Sequence, residues 1–359
     1  MTPAPGGTSP VSGGMTPAPG AAGLTASWLS DALETKVTAV RTEPVGTGQV
    51  SDSLRLHLTY AGETPLPPTM VAKVPAADPS SRAAARAIRT YEVEASFYAE
   101  LAGDLDAGIP ACYFSAYAAE EDEYTVLLAD LAPAQPGDQL AGVAPEDAAA
   151  AISEMAAFHA AGWDDPGLAA LPWLNRHDAD ATAFTAAMVT DLYTGFKDRY
   201  AADLGHDVIT LIEDFMPSLP AYLTAREGPL TLSHGDFRAD NLLFGGARTA
   251  VLDWQTCAYG PGLADLSYFL GSSLPTEARR AHEKALVKRY CDTLTSRGVT
   301  LTWDDCWTAY RHHTFHGIVM AIGASMLVER TPRGDEMFRT MTTRHAHHAR
   351  DLDSLSLLA

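Results

Sequence analysis

Hydrophobic and polar residues alternate in short runs between residues 26 and 131, a pattern that is typical of half-buried strands. The runs are rich in Val, Leu and Thr, and Gly or Pro borders them. One long helix is predicted to follow Pro79-Ser80-Ser81, which supplies an N-cap, and to run to about Leu101, and a short helix is predicted at residues 26–33. The predicted strands, which form an antiparallel sheet of five, are residues 37–45, 54–60, 70–74, 111–117 and 124–128.

The pattern changes after Pro133, because apolar residues then recur at helical spacing. The chain therefore predicts an α+β fold with a small sheet-rich N-lobe at residues 26–132 and a larger, mainly helical C-lobe at residues 133–359. Residues 1–25 repeat Met-Thr-Pro-Ala-Pro-Gly and predict a disordered low-complexity tail, with Met1 or Met15 as the start. The predicted C-lobe helices are residues 145–162, 178–200, 206–226, 263–271, 277–297, 303–328 and 334–353.

The composition is that of a globular protein: of 359 residues, 47% are hydrophobic and 19% are charged. The longest apolar stretch, 317–328, is shorter than the about 18 residues of a membrane span, and no secretory signal is expected. The four dispersed cysteines predict buried thiols in a cytoplasmic protein. A net charge of −20 argues against nucleic acid and anionic membranes as partners. The charge is compatible with a cationic substrate, and an acidic proteome would give the same value.

The segment Leu232-Ser-His-Gly-Asp-Phe-Arg-Ala-Asp-Asn-Leu-Leu-Phe244 sets polar residues among apolar ones, and Ala250-Val-Leu-Asp-Trp-Gln255 follows a glycine turn. If the two segments fold back on each other, Asp236, Asn241 and Asp253 converge. This set suits phosphoryl transfer, because one carboxylate can orient an attacking hydroxyl while an amide and a second carboxylate hold Mg²⁺. We predict Asp236 as the catalytic residue and Asn241 and Asp253 as the metal ligands.

The order His-x-Asp-x4-Asn, followed by Asp, resembles the catalytic and metal loops of the kinase superfamily. The His-Gly-Asp and Asp-Trp-Gln segments resemble its small-molecule branch, which includes aminoglycoside phosphotransferases, choline kinases and ecdysteroid kinase-like proteins. The resemblance implies a bilobal protein-kinase-like fold with the nucleotide in the cleft. It also implies ATP and Mg²⁺ as cofactors and a small-molecule hydroxyl as the acceptor.

Lys73 interrupts a predicted apolar strand, and Val71-Ala72-Lys73 resembles the kinase strand whose lysine contacts the nucleotide phosphates. An edge-strand lysine with its amine in solvent is the alternative. A phosphate-binding lysine requires a carboxylate partner, and Glu94 shares the apolar stripe of the following helix with Tyr98. We predict that Lys73 pairs with Glu94 at the nucleotide, and Glu92 remains the alternative partner.

The segment Val45-Gly-Thr-Gly-Gln-Val-Ser51 lies between the first two predicted strands. Gly46 and Gly48 would let the backbone approach a phosphate and Ser51 would add a hydroxyl, although a plain hairpin can have the same sequence. Neither a P-loop nor a Rossmann motif occurs. The strand before Asp130 resembles the kinase strand that leads to the hinge between the two lobes, where the backbone would hydrogen-bond adenine. We therefore predict that Asp130 lies in the nucleotide site.

Three polar residues are expected to have structural roles without chemistry. Asp265 is expected to cap a helix and brace the catalytic loop, His234 to hold the backbone of that loop, and His159 to be a core histidine. Two histidine clusters also stand out: His312, His313 and His316, and His345, His347 and His348. A metal site is disfavoured because no His-Glu-x-x-His motif is present. The first cluster is expected to face an acceptor pocket together with nearby aromatic residues, and the second to lie at the surface. The aromatic residues are Trp303, Trp307, Tyr310 and Phe315.

The sequence thus predicts an ATP-dependent phosphotransferase that moves the γ-phosphate to the hydroxyl of a small molecule. The acceptor class stays open among an aminoglycoside-like amino-sugar, a hydroxylated lipid or steroid, and a hydroxyacyl thioester. Two alternatives also stay open: a catalytically inactive binding protein on the kinase fold, and an enzyme that uses GTP or transfers a nucleotidyl group.

Overall fold

The computed structural model describes residues 15–46, 50–175, 179–226 and 228–358. The chain divides into two compact units. The N-terminal unit extends to Pro133 and includes Leu252–Thr256, and the C-terminal unit consists of Ala134–Val251 and Cys257–Ala359. The segment that contains Asp253 therefore belongs to the N-terminal unit, although the sequence placed it in the C-lobe.

The N-terminal unit is built on one antiparallel sheet with the strand order β1-β2-β3-β5-β4. Its strands are β1 (Val37–Pro44), β2 (Ser51–Tyr60), β3 (Thr69–Pro75), β4 (Cys112–Ala118) and β5 (Glu123–Ala129), and its helices are α1 (Ala26–Ala32), α2 (Pro79–Ala87) and α3 (Thr90–Glu100). The central strand β3 buries Met70, Ala72 and Val74 completely. The α+β class and the five-stranded antiparallel sheet that the alternating pattern predicted are confirmed.

The long helix predicted after Pro79-Ser80-Ser81 is two helices. Arg89 separates α2 from α3 in the left-handed conformation, with φ of 60°, which interrupts the helical hydrogen-bond ladder. The N-cap is Asp78 and not a residue of Pro79-Ser80-Ser81, since the side chain of Asp78 accepts from the backbone N–H of Ser81. The direction of α3, which contains Glu94, is therefore independent of α2.

The prediction that residues 1–25 form a disordered tail does not hold for the described part, residues 15–25. Ala18 is fully buried and Leu24 is 3% exposed, both within the core of the N-terminal unit. The backbone N–H of Ala18 donates to Oγ1 of Thr125 at 2.9 Å. A few apolar residues suffice here because the existing sheet supplies both the apolar surface and the hydrogen-bond acceptor.

The C-terminal unit is mainly helical, with two small sheets of order β6-β8-β9 and β10-β7. Its helices are α4 (Pro145–Ala161), α5 (Pro166–Ala169), α6 (Ala179–Leu204), α7 (His206–Phe215), α8 (Leu219–Ala225), α9 (Gly262–Ser273), α10 (Thr276–Ser296), α11 (Trp303–His312), α12 (His316–Leu327) and α13 (Pro332–Asp351). Its strands are β6 (Gln135–Pro136), β7 (Leu230–Ser233), β8 (Leu242–Phe244), β9 (Ala250–Val251) and β10 (Ala258–Pro261). None of the helices in the described ranges combines the length and apolarity needed to cross a bilayer.

Two long helices of the sequence prediction are interrupted by 3₁₀ turns. Met216–Ser218 separates α7 from α8, and Pro217 within this turn has no N–H to continue the α-helical ladder. His313–Phe315 separates α11 from α12. This turn directs Phe315 into the core, where its ring stacks on Phe215 with centroids 4.3 Å apart.

The predicted turn after the catalytic segment is present. Strands β8 and β9 pair antiparallel, and Gly245 between them has φ of 83°, a conformation that glycine adopts without steric cost. Strand β7 instead pairs with β10. The loop that contains Asp236 therefore runs from β7 in one small sheet to β8 in the other.

Candidate active site

Lys73 is the charged residue of the central strand β3, and it is 8% exposed. Its Nζ lies 2.5 Å from Oε1 of Glu94 and 2.8 Å from Oδ1 of Asp253. Burial opposes the charge, but the carboxylates of Asp253 and Glu94 raise the pKa of Lys73 above its usual value. Lys73 is thus a fixed cation with two carboxylate partners.

Glu94 and Glu92, the two candidate partners of Lys73, lie on different faces of α3. Glu94 is 1% exposed, and burial raises its pKa while Lys73 opposes the rise. Glu92 instead makes a two-pronged ion pair with Arg89, with both N–O distances 2.7 Å. The apolar stripe that favoured Glu94 therefore selected the residue that contacts Lys73.

The position of Asp253 is fixed by its neighbour Trp254, which packs on helix α3. The indole of Trp254 is fully buried and stacks on Phe97 of α3, with ring centroids 4.0 Å apart and planes 7° from parallel. Asp253 has φ of 64° in the left-handed region. Because Lys73, Glu94 and Asp253 all belong to the N-terminal unit, one unit positions all three groups.

The other residues predicted to contact the nucleotide are two glycines, a serine and Asp130. Gly46 has φ of 73° and open space where a side chain would be, whereas Gly48 lies outside the described residues. Ser51 begins β2 and is 4% exposed. Asp130 binds Arg55 with both oxygens, at 2.7 and 3.2 Å, and accepts from the backbone N–H of Ala132 at 3.2 Å. The Asp130 side chain thus fixes the end of β5, and its contact with a nucleotide stays a prediction.

Asp236 lies in the C-terminal unit, and three side chains donate to its carboxylate. Tyr268 donates to Oδ1 at 2.9 Å and Asn241 donates to Oδ2 at 2.9 Å. Nε of Arg238 is 3.1 Å from each oxygen. Asn241 also donates to the backbone carbonyl of Asp236 at 2.8 Å, so the two residues predicted to share the chemistry are in direct contact.

Arg238 and Tyr268 were not predicted from the sequence. Arg238 lies two residues after Asp236 in the same loop, and it also donates to Asp240 at 2.8 Å and to Gln139 at 3.0 Å. Burial opposes its charge, but the carboxylate of Asp236 raises the pKa of Arg238. The position of Arg238, so close to Asp236 in the sequence, could have indicated this contact. Tyr268 is 32 residues after Asp236, and nothing in the sequence indicated that the two side chains are in contact.

The predicted brace of the catalytic loop is present. Asp265 accepts from the backbone N–H groups of His234 at 2.6 Å and Gly235 at 2.9 Å. Its Oδ2 lies 3.2 Å from Nε2 of His159. Burial would raise the pKa of Asp265, yet the hydrogen bond with His159 and the charge of neighbouring groups hold it below its usual value. The ring of His234 accepts from the N–H of Asp236 at 3.2 Å.

Two histidines of the second cluster are not where they were expected. His345 and His348 are fully buried, so the prediction of a surface position was wrong for them. Tyr310 and Phe315 are fully buried, and His312 stacks on Tyr222. Of the first cluster, His316 contacts the catalytic loop, with Nε2 3.4 Å from the carbonyl of Gly235. No group of three potential metal ligands among His, Cys, Asp and Glu occurs in the part of the chain that the structure describes.

The oxygen donors of the predicted metal ligands suit a hard cation. Asn241 uses its amide N–H₂ on Asp236, which turns its carbonyl oxygen away as a neutral donor. Asp253 is 29% exposed at its side chain and offers a carboxylate. Carboxylate and amide oxygens are ligands that Mg²⁺ accepts, usually with several waters retained. The donor chemistry therefore fits magnesium and not a thiolate- or imidazole-selecting metal.

An antiparallel five-stranded sheet with a lysine–glutamate pair, followed by a helical unit with a His-Gly-Asp loop, defines the protein-kinase-like class of small-molecule kinases. The ecdysteroid kinase-like family model matches residues 46–301, and the chain belongs to this family. Among curated proteins, the mouse acyl-CoA dehydrogenase family member 10 is 41% identical over 75 residues. That match spans 19% of this chain and 7% of the relative's length.

Solved structures show the same fold. A predicted aminoglycoside phosphotransferase from Ralstonia eutropha JMP134 has a TM-score of 0.56 and 17% identity, covering 90% of this chain and 97% of its own. Ethanolamine kinase from Plasmodium vivax has a TM-score of 0.51 and 7% identity, over 85% and 82% of the two chains. A spectinomycin phosphotransferase in complex with ADP and spectinomycin has a TM-score of 0.50 and 11% identity, over 92% and 97%.

Proposed function

We propose that the protein transfers the γ-phosphoryl group of ATP to a hydroxyl of a small molecule. The observation that carries the proposal is the buried Lys73 held between Glu94 and Asp253. A cation kept charged by two carboxylates is suited to binding the phosphates of a nucleotide. The family and the ADP-containing spectinomycin phosphotransferase support ATP as the donor.

In this mechanism, the carboxylate of Asp236 accepts a hydrogen bond from the acceptor hydroxyl and orients its oxygen towards the γ-phosphorus. The Asp236 side chain is 18% exposed, so a small hydroxyl can reach it. Asn241 and Asp253 would hold Mg²⁺, which supplies charge neutralisation on the phosphates when bound. Lys73 and the positioned carboxylate contribute mainly through orientation and charge stabilisation.

The surroundings of Asp236 favour a neutral, partly apolar acceptor over a polycation. Arg238 pairs with the carboxylates of both Asp236, at 3.1 Å, and Asp240, at 2.8 Å, and so offsets part of their negative charge. Two methionines of α13 approach the same network, since Sδ of Met337 is 3.8 Å from Arg238 and Sδ of Met341 is 3.5 Å from the hydroxyl of Tyr268. A hydroxylated lipid or steroid fits such a surface better than an aminoglycoside.

The experiment is a transfer assay with ATP or GTP labelled at the α- or γ-phosphate and pools of hydroxylated lipids and steroids, amino-sugars and hydroxyacyl thioesters. We expect γ-label from ATP on an acceptor of the first pool, and about 10²- to 10⁴-fold slower labelling with the Asp236→Asn variant. Transfer of α-label would instead identify a nucleotidyltransferase, and preference for GTP would replace the donor. Absence of transfer from every labelled nucleotide would support the inactive binding protein.

A further inference from the structure

We infer that Tyr268 is a positioning residue for Asp236, and that the two histidine clusters meet at Tyr268 to hold its ring. The inference rests on the proposed function and deepens it, because it states which side chain outside the catalytic loop fixes the carboxylate. The observations that carry it are one hydrogen bond and two ring contacts within the C-terminal unit.

The hydrogen bond defines the role of the Tyr268 hydroxyl. It donates to Oδ1 of Asp236 at 2.9 Å, whereas Asn241 donates to Oδ2 at 2.9 Å. With a donor on each oxygen, the carboxylate cannot rotate about its Cβ–Cγ bond without losing both contacts. Burial, reinforced by the charge of Asp236, raises the pKa of Tyr268 well above its usual value, so the phenol keeps its proton.

The ring of Tyr268 is held between one histidine of each cluster. His345 of α13 stacks on it, with centroids 5.6 Å apart and planes 12° from parallel. His316 of α12 contacts it edge to face at 5.3 Å. Burial lowers the pKa of both histidines, so their rings are neutral at neutral pH and act by packing, not by charge.

Two glycines make room for this arrangement. A Cβ atom at Gly317 of α12 or at Gly271 of α9 would overlap the ring of His345. Three helices therefore approach one another at His345, and the result is a rigid support under a tyrosine that touches the catalytic carboxylate. Such support allows a functional group to be held within a fraction of an ångström of its productive position.

The test is steady-state transfer of the γ-phosphoryl group from ATP by the Tyr268→Phe variant. Phe keeps both ring contacts and removes only the hydroxyl, so the fold should be retained. We expect kcat to fall about 10- to 100-fold, as for a slightly misplaced reacting group, while KM for ATP changes less than about 2-fold. The matched control is Tyr200→Phe, which removes another buried tyrosine hydroxyl that donates to a carboxylate, Asp335, at 2.7 Å. It should leave kcat unchanged.

A double-mutant cycle with Asp236→Asn separates positioning from general stability. If Tyr268 acts through the Asp236 carboxylate, Tyr268→Phe should have little further effect on the residual rate of Asp236→Asn. Equal fold-losses in both backgrounds, or a normal kcat for Tyr268→Phe, would overturn the inference. A wild-type protein that transfers no phosphoryl group would instead overturn the proposed function, so the two failures are distinguishable.

Discussion

Two carboxylates, each beside a cation, show how the two units differ. Glu94 in the N-terminal unit is 1% exposed at its side chain and contacts Lys73 directly. Asp236 in the C-terminal unit is 18% exposed, and its contacts with Tyr268, Asn241 and Arg238 fix it from the sides. A carboxylate that is buried against its partner, such as Glu94, can only set the position and charge of that partner. A carboxylate that is held in place but remains accessible, such as Asp236, can accept a proton from a bound molecule.

The largest effect is expected from Asp236→Ala, which removes the accessible carboxylate. Turnover should fall about 10²- to 10⁴-fold, as is typical for loss of a positioned base. Affinity for ATP should stay near that of the wild type, because Lys73, the residue proposed to bind the phosphates, is unchanged. Turnover is measured in the transfer assay and affinity by calorimetry. A variant with near-normal turnover would remove Asp236 from the mechanism.

Breaking the buried ion pair between Lys73 and Glu94 should have the next largest effect. Lys73→Met is expected to lower kcat/KM for ATP about 10²-fold, since one charged donor to the phosphates is lost. Glu94→Gln should act in the same direction by releasing Lys73, and the double variant should be much less than multiplicatively worse.

Glu92→Gln is the matched control for this cycle. It changes the same residue type on the same helix but breaks the exposed pair with Arg89 and leaves the contact between Lys73 and Glu94 in place, so kcat/KM should be unchanged. If the effects of Lys73→Met and Glu94→Gln multiply, and Lys73 is instead coupled to Glu92, then Glu94 is not the carboxylate that positions Lys73.

The sequence predicted the sheet and this pair well because both depend on local patterns. Strands of period two appear directly in the alternation of apolar residues, and Glu94 lay on the helical stripe that the core had to bury. The break at Arg89 was missed because it depends on one left-handed residue, and no glycine marked it.

The support of Asp236 was only partly predictable. Arg238, Asn241 and Asp265 lie in or near the motif, so residue chemistry suggested roles for two of them. Tyr268 and His345 reach the site only through the packing of α9 and α13, and their spacing in the sequence does not indicate a contact. The packing of residues 15–24 on the core of the N-terminal unit could not be predicted either, because their few apolar residues do not recur at a regular spacing.

A smaller effect is expected at Trp254, which connects Asp253 to helix α3. Trp254→Ala should lower the free energy of unfolding by about 3 kcal/mol, as for other buried aromatic truncations, and weaken binding of Mg²⁺–ATP by releasing Asp253. Trp254→Phe retains a ring over Phe97 and should keep most of both properties. Thermal unfolding and ATP titration check the two effects. Loss of stability without any loss of affinity would separate the stacking from nucleotide binding.

The central claim, that the N-terminal unit binds a nucleotide through charge and a divalent cation, is tested most directly by ATP titration calorimetry with Mg²⁺ and again in excess EDTA. We predict clear binding with Mg²⁺ and at least about tenfold weaker binding without it, because the carboxylate of Asp253 and the triphosphate repel each other unless a cation lies between them. Equal affinity under the two conditions, or no binding in either, would contradict the account.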